Sequence, residues 1–167
     1  MHLYVMEINI SCVHRFKRTH PELFKPELSN AITIVTGDQS SAADLDAVYR
    51  KAGSAPFDVV IDDASHISEH QTFTLRHFAR QRYVARPDGA YFVEDLYGSC
   101  SDTPWRVMGD LNRWVRGGTS DCMGSQANPS FFAHAVGWQK DLIRGVGEGA
   151  ALFRHVDFWA NAAAFQL

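Results

Sequence analysis

Two short apolar runs in this 167-residue chain end in paired acids. Phe57-Asp58-Val59-Val60-Ile61-Asp62-Asp63 leads into Ala64-Ser65-His66, and Ala90-Tyr91-Phe92-Val93 ends in Glu94-Asp95. Charge is costly inside a buried run and collects at its ends. Two such ends brought side by side make an acidic site with an imidazole next to it.

The elements that would position these groups follow from the pattern between them. Val and Ile without polar alternation suggest a strand buried on both faces, the kind found in parallel sheets covered by helices. Between the runs lies Ser68 to Arg82. There Ser68 and Gln71 fit a capping box, and Leu75, Phe78 and Ala79 keep helical spacing. Arg86-Pro87-Asp88-Gly89 is a turn signal. The segment therefore reads as a βαβ unit whose acids all fall at carboxyl ends of strands, the edge where open parallel sheets bind ligands. Asp62, Asp63, His66, Glu94 and Asp95 are expected around one crevice.

Composition narrows the setting. The chain is 46% hydrophobic and 21% charged, with a net charge of −3. One globular domain is expected, with no electrostatic reason for a nucleic acid or an anionic membrane as partner. A small or neutral substrate suits it better. Cys12, Cys100 and Cys122 have no zinc-like spacing, and the start lacks a basic segment followed by an apolar one, so a reducing cytosol is the expected compartment. Oligomeric state is left open, a homo-oligomer included.

Along the chain, His2 to Ile10 reads as a strand with Glu7 near its end, and His20 to Asn30 as a connector. Ala31 to Thr36 reads as a second strand closing on Gly37-Asp38-Gln39. Ser41 to Lys51 reads as a helix with Ala42, Leu45, Val48 and Tyr49 near one face. Trp105 to Arg116 has an amphipathic helical pattern, and Gly117 to Pro129 is a polar, glycine-containing loop. Phe131 to Arg144 looks helical, Gly145 to Gly149 is a break, and Leu152 to Phe165 supplies one or two closing strands.

This order of strands and acids, with Gly37-Asp38-Gln39, Asp62-Asp63-Ala64-Ser65-His66, Pro87-Asp88-Gly89 and Val93-Glu94-Asp95-Leu96, resembles class I S-adenosylmethionine-dependent methyltransferases. Within them it is most similar to the metal-dependent sugar O-methyltransferases of macrolide biosynthesis, the mycinamicin and tylosin type. The resemblance is strongest over residues 32–97. It implies a Rossmann-like α/β sheet flanked by helices. It also implies S-adenosylmethionine and Mg²⁺ as cofactors and the hydroxyl of a sugar or glycoside as acceptor. By motif position Asp63, Glu94 and Asp95 would be the metal ligands and His66 the general base. Glu7, Asp38, Gln39 and Asp62 would contact the cofactor. The chemistry agrees, because three crowded carboxylates repel unless a cation lies among them, and oxygen ligands favour a hard ion. An imidazole can take a proton near neutral pH.

The chain also departs from that family. The family begins its fold with a strand and a glycine-rich loop under the methionine part of the cofactor, and here the first strand corresponds to the family's second. Without the central strand the sheet has a gap with unsatisfied backbone groups. A fragment of a longer protein is the favoured explanation, and a rearranged fold the alternative. Ala64 stands where the family has glycine, which asks for a conventional backbone there.

Plainer roles compete for several residues. Asp58 reads as a polar strand start, Asp62 as a capping or structural acid, and His70 as a helix residue. Trp105, Trp114, Trp138 and Trp159 read as core anchors. Cys100 and Cys122 lack an activating basic neighbour. Two rival functions also stand. One is a non-catalytic methyltransferase-like module. The other is a zinc peptidase using His66, Glu69 and His70, because His66-Ile67-Ser68-Glu69-His70 matches an H-x-x-E-H pattern that needs both histidines in one helix.

Overall fold

A computed structural model describes residues 2–25, 31–96, 130–159 and 162–167. The expected helix at Trp105 to Arg116, the loop at Gly117 to Pro129, and Trp105, Trp114, Cys100 and Cys122 lie outside the described residues. The chain divides into two compact units, residues 1–55 and 56–167.

The first unit holds two parallel strands, β1 (Leu3–Glu7) and β2 (Ile32–Thr36), in register from Leu3 opposite Ile32 to Glu7 opposite Thr36. The first strand is shorter than its sequence suggests. Asn9 caps a helix, α1 (Ile10–Thr19), its side chain accepting from the Ser11 amide, and a 3₁₀ turn, Pro21–Phe24, follows. The second helix, α2 (Ala42–Lys51), starts where the sequence places it, at Ser41, whose hydroxyl accepts from the Asp44 amide. Burial in this unit is sparse. Val13 is the one buried residue of α1, and Leu45 and Val48 are those of α2.

The second unit is a four-stranded sheet in the order β3-β4-β6-β5, with β3 (Val59–Asp62), β4 (Ala90–Val93), β5 (His155–Phe158) and β6 (Ala163–Gln166). β3 and β4 are parallel, and α3 (Ser68–Gln81) connects them, so the expected βαβ unit is present. The capping box is not. Ile67 occupies the cap position without a side-chain hydrogen bond, and Gln71 lies fully buried in the core-facing side of α3. The closing strands are two, β6 running antiparallel to both β4 and β5. Within the expected break, Gly145 ends α4 (Phe131–Arg144) in a left-handed conformation, and a short helix, α5 (Gly147–Leu152), begins two residues later.

One face of this sheet carries the core. Tyr91, Val93, Ala163, Phe165 and Val156 meet Leu75 and Phe78 of α3 and Phe131, Phe132 and Trp138 of α4, all buried. Aromatic rings fill it at close range: Phe165 lies 5.1 Å from Phe153 and 5.9 Å from Phe131, and Trp138 lies 5.3 Å from Phe153. Offset and edge-on rings at such distances add favourable contact beyond area burial. The helices are clamped by Glu148, which accepts from Arg76 and Arg80 at 2.7 Å and from the Trp138 indole at 2.9 Å. Burial raises the pKa of its carboxyl, but these donors, Arg76 first, outweigh that and hold it below the usual carboxylate range.

The expectation that β3 is buried on both faces fails. Val59 is 54% and Ile61 61% exposed. The carbonyls of Asp58 and Asp62 bond to the amides of Ala90 and Glu94. Val59 and Ile61 therefore turn their backbone groups to the opposite edge, where no described strand pairs with β3. Trp159 is 52% exposed and stacks on Phe92, so it is no core anchor, whereas Trp138 is one.

Candidate functional site

The acids separate by the pleat of the strands. Successive strand residues point to opposite faces, so at the end of β3 Asp62 turns into the core and Asp63 turns out. Asp62 is 5% exposed and accepts a 2.9 Å hydrogen bond from the hydroxyl of fully buried Tyr91. Burial, then the adjacent carboxylate, push the Tyr91 phenol well above its ordinary pKa, so it stays a neutral donor. The pair ties the carboxyl end of β3 to the body of β4 from inside. Sequence reasoning missed Tyr91. The signal was its place opposite Val60 in the parallel register, on the same face as Asp62.

At the end of β4 the same parity buries Val93 and exposes Glu94, whose amide continues the ladder to the Asp62 carbonyl. Two residues then leave regular geometry: His66 has φ 54° and Asp95 φ 51°. Left-handed conformations are unfavourable for residues with a Cβ and tend to mark sites where the surroundings fix them. Ala64, where the resemblance implied glycine, has no such conformation, and the left-handed turn falls on His66.

The result is a group of three. His66 Nε2 lies 3.8 Å from Asp63 Oδ1 and 4.0 Å from Asp95 Oδ2. One ligand atom from each residue lies within 4.8 Å of the others. His66 Nδ1 is enclosed, with no hydrogen-bond partner among the described residues. Asp63 is the solvent-facing side, its side chain 57% exposed against 29% for His66 and 32% for Asp95. Glu94 is not part of this group. The arrangement can hold a small cation or accept a proton at Nε2 beside two negative charges.

The other candidates fall elsewhere. Glu7 ends β1 and Asp38 follows the end of β2, both in the first unit. Glu7 Oε1 accepts from the Asn9 amide, and Asp38 Oδ1 from the Ser40 amide and hydroxyl. Gln39 is 6% exposed in the same turn. The H-x-x-E-H pattern does not form: His66 precedes α3 in a left-handed conformation, and His70 Nδ1 lies 3.1 Å from the Ser65 hydroxyl. A separate groove of about 480 Å³, lined by residues including Arg86, Phe153 and Arg154, contains none of these acids. Among the described residues no helix is long and apolar enough to cross a membrane.

No family model matches the chain. Two curated proteins do, each over 66 residues. Mycinamicin VI 2''-O-methyltransferase of Micromonospora griseorubida is 42% identical and demethylmacrocin O-methyltransferase of Streptomyces fradiae 44%. The matched stretch is 40% of this chain and 15% of the length of each relative. Over that stretch the chain is similar to the O-methyltransferases that act in macrolide sugar methylation, as its motifs imply.

Proposed function

We propose a transferase function: movement of the methyl group of S-adenosylmethionine to a hydroxyl of a sugar or other small vicinal diol, with Mg²⁺ at the acid group, in the cytosol. The observation that carries the reading is the convergence of Asp63, His66 and Asp95 at the carboxyl ends of two parallel strands. The relatives' names supply the reaction class.

The donor set fits a divalent cation. Carboxylate oxygens of Asp63 and Asp95 lie close together beside His66, and the open side at Asp63 leaves room for acceptor oxygens. When bound, such an ion lowers the pKa of a hydroxyl that it coordinates. Asp63 and Asp95 hold and orient, with Glu94 beside them as the third acid that the resemblance names. His66 Nε2 receives the acceptor's proton, and the charge formed there is stabilised by the two carboxylates. Asp62 and Tyr91 keep the strand ends fixed so that these groups need not reorganise during reaction. Glu7, at the end of β1, is suited to the ribose hydroxyls of the cofactor, and Asp38 and Gln39, in the turn after β2, are its further contacts.

Calorimetric titration with S-adenosylmethionine, with and without Mg²⁺, tests the reading on the wild type and on Asp63→Ala/Glu94→Ala. Micromolar binding, with the Mg²⁺ response lost in the double variant, supports it. Absence of binding in every condition favours the second reading, a methyltransferase-like module without catalysis, for which the β3 edge that no described strand pairs is the specific observation.

A further inference from the structure

The second unit carries a groove well apart from the acid group. It has a volume of about 480 Å³, and Arg86, Leu152, Phe153, Arg154 and Leu167 are among the residues that line it. Arg86 precedes β4, Arg154 precedes β5 and Leu167 follows the antiparallel β6. The groove therefore lies at the edge of the sheet opposite to the strand ends that carry Asp63 and Asp95. We infer that it is a binding site for a small organic phosphate, whose anionic group is held by Arg86 and Arg154 and whose organic part rests on the apolar wall.

The charges carry the inference. No acidic side chain lines the groove, and among the described residues neither guanidinium has a carboxylate partner. The acids on the surrounding elements are engaged elsewhere. Glu148 takes Arg76, Arg80 and the Trp138 indole, Asp141 accepts from the Gly149 amide, and Asp157 lies 2.8 Å from His155. Arg86 is anchored by one bond, from Nη2 to the Leu152 carbonyl at 3.0 Å, and a guanidinium has further N–H groups to offer. Two cations lining one groove repel unless an anion joins them, and the net charge of −3 means that they do not belong to a generally basic surface. Guanidinium forks match the oxygens of a phosphate, and a phosphate monoester near pH 7 brings close to two negative charges where a carboxylate brings one. The size of the groove calls for more than the bare ion, since it falls in the range of small-molecule sites. Buried Phe153 and Leu167, with the small side chains of Ala150 and Ala151, give the organic part an apolar surface.

The test is titration of the full chain with phenyl phosphate, followed through backbone amide resonances. Saturable shifts are expected at Arg86 and over residues 150–154, with a Kd below about 1 mM, and inorganic phosphate should bind more weakly because it lacks the apolar part. Arg154→Ala is expected to weaken binding at least about tenfold, and Asp63→Ala, at the opposite strand ends, to change it by less than about twofold. Arg154 is exposed, so its truncation spares the core, and the wild-type shift map needs no variant at all. Shifts that do not saturate by about 10 mM overturn the inference, as does a Kd that Arg154→Ala leaves unchanged. Benzoate that binds as tightly as phenyl phosphate overturns the assignment to phosphate.

Discussion

The two sheets of this protein use the same sequence device and obtain different results. β1 and β2 end near Glu7 and Asp38, and β3 and β4 end in Asp62-Asp63 and Glu94-Asp95. In the first unit the terminal acids serve their own turns, accepting from Asn9 and Ser40. In the second, a buried hydrogen bond beneath the strand ends and two left-handed residues above them bring acids from separate strands to one imidazole. The difference lies in the core. Phe165, Phe131, Tyr91 and Leu75 are fully buried under the second sheet, whereas α1 in the first unit buries only Val13. A site made from several elements requires elements that cannot shift, and a dense core supplies that.

The largest test of this contrast is in the cores. Phe165→Ala is expected to cost about 3–5 kcal/mol, whereas Val13→Ala, which removes less surface from a thinner layer, costs about 1–2 kcal/mol. Urea unfolding of both variants measures the gap, and equal losses would abolish the distinction between the units. Glycines sharpen it. A Cβ at Gly149 would overlap the main chain of Trp138, where α5 crosses α4, so Gly149→Ala is expected to cost about 1–3 kcal/mol. A Cβ at Gly37 in the first unit would meet chiefly the Met6 side chain at 3.0 Å, which can move. Gly37→Ala should therefore lower the melting temperature less than Gly149→Ala.

Charge separates the units next. Asp63→Asn is expected to weaken Mg²⁺ binding at least about tenfold, and Asp38→Asn to leave it unchanged, as read by titration. The smallest effect is on pH dependence. Glu148 has a folded pKa below its unfolded value, so its contribution is present above the unfolded value, near 4.5, and is lost as pH falls through the lower folded one. His134 is lowered by burial and by Arg76, which outweigh the opposing pull of Glu148. Its proton is bound less well when folded, so stability already declines as pH falls below its ordinary value, 6.5. Glu148→Gln should flatten the acid limb of a melting-temperature profile. An unchanged profile would remove the clamp from the account of the second unit.

Legibility in the sequence followed the same division. The βαβ unit could be read because unbroken apolar runs, a turn signal and helical spacing agree there, and the closing helix and strands could be read from their apolar patterns too. α1 was missed although its apolar residues keep helical spacing: it buries only Val13, and Phe16 is 44% exposed. Ser68 and Gln71 have capping-box spacing, but the core claimed Gln71. The apolar run of β3 predicted burial on both faces because composition reports what a strand is able to bury and not which neighbours are there to bury it. At the site, the paired acids were legible as candidates, but their sorting was not. It depends on strand parity and on where the backbone turns left-handed, and an aspartate sequence carries little sign of that.

The edge of β3 with which no described strand pairs has a practical consequence for anyone handling the protein. Val59 and Ile61 present alternate apolar side chains beside backbone donors and acceptors that no described strand takes up, a template on which other extended chains can be added. Asp58 and Asp63 at its two ends oppose antiparallel growth of one copy on another, since each would meet a like charge. Salt screens that repulsion while leaving the apolar contact intact. Storage at low ionic strength should therefore keep the chain dispersed, and dialysis into concentrated salt is the step at which it would be lost from solution.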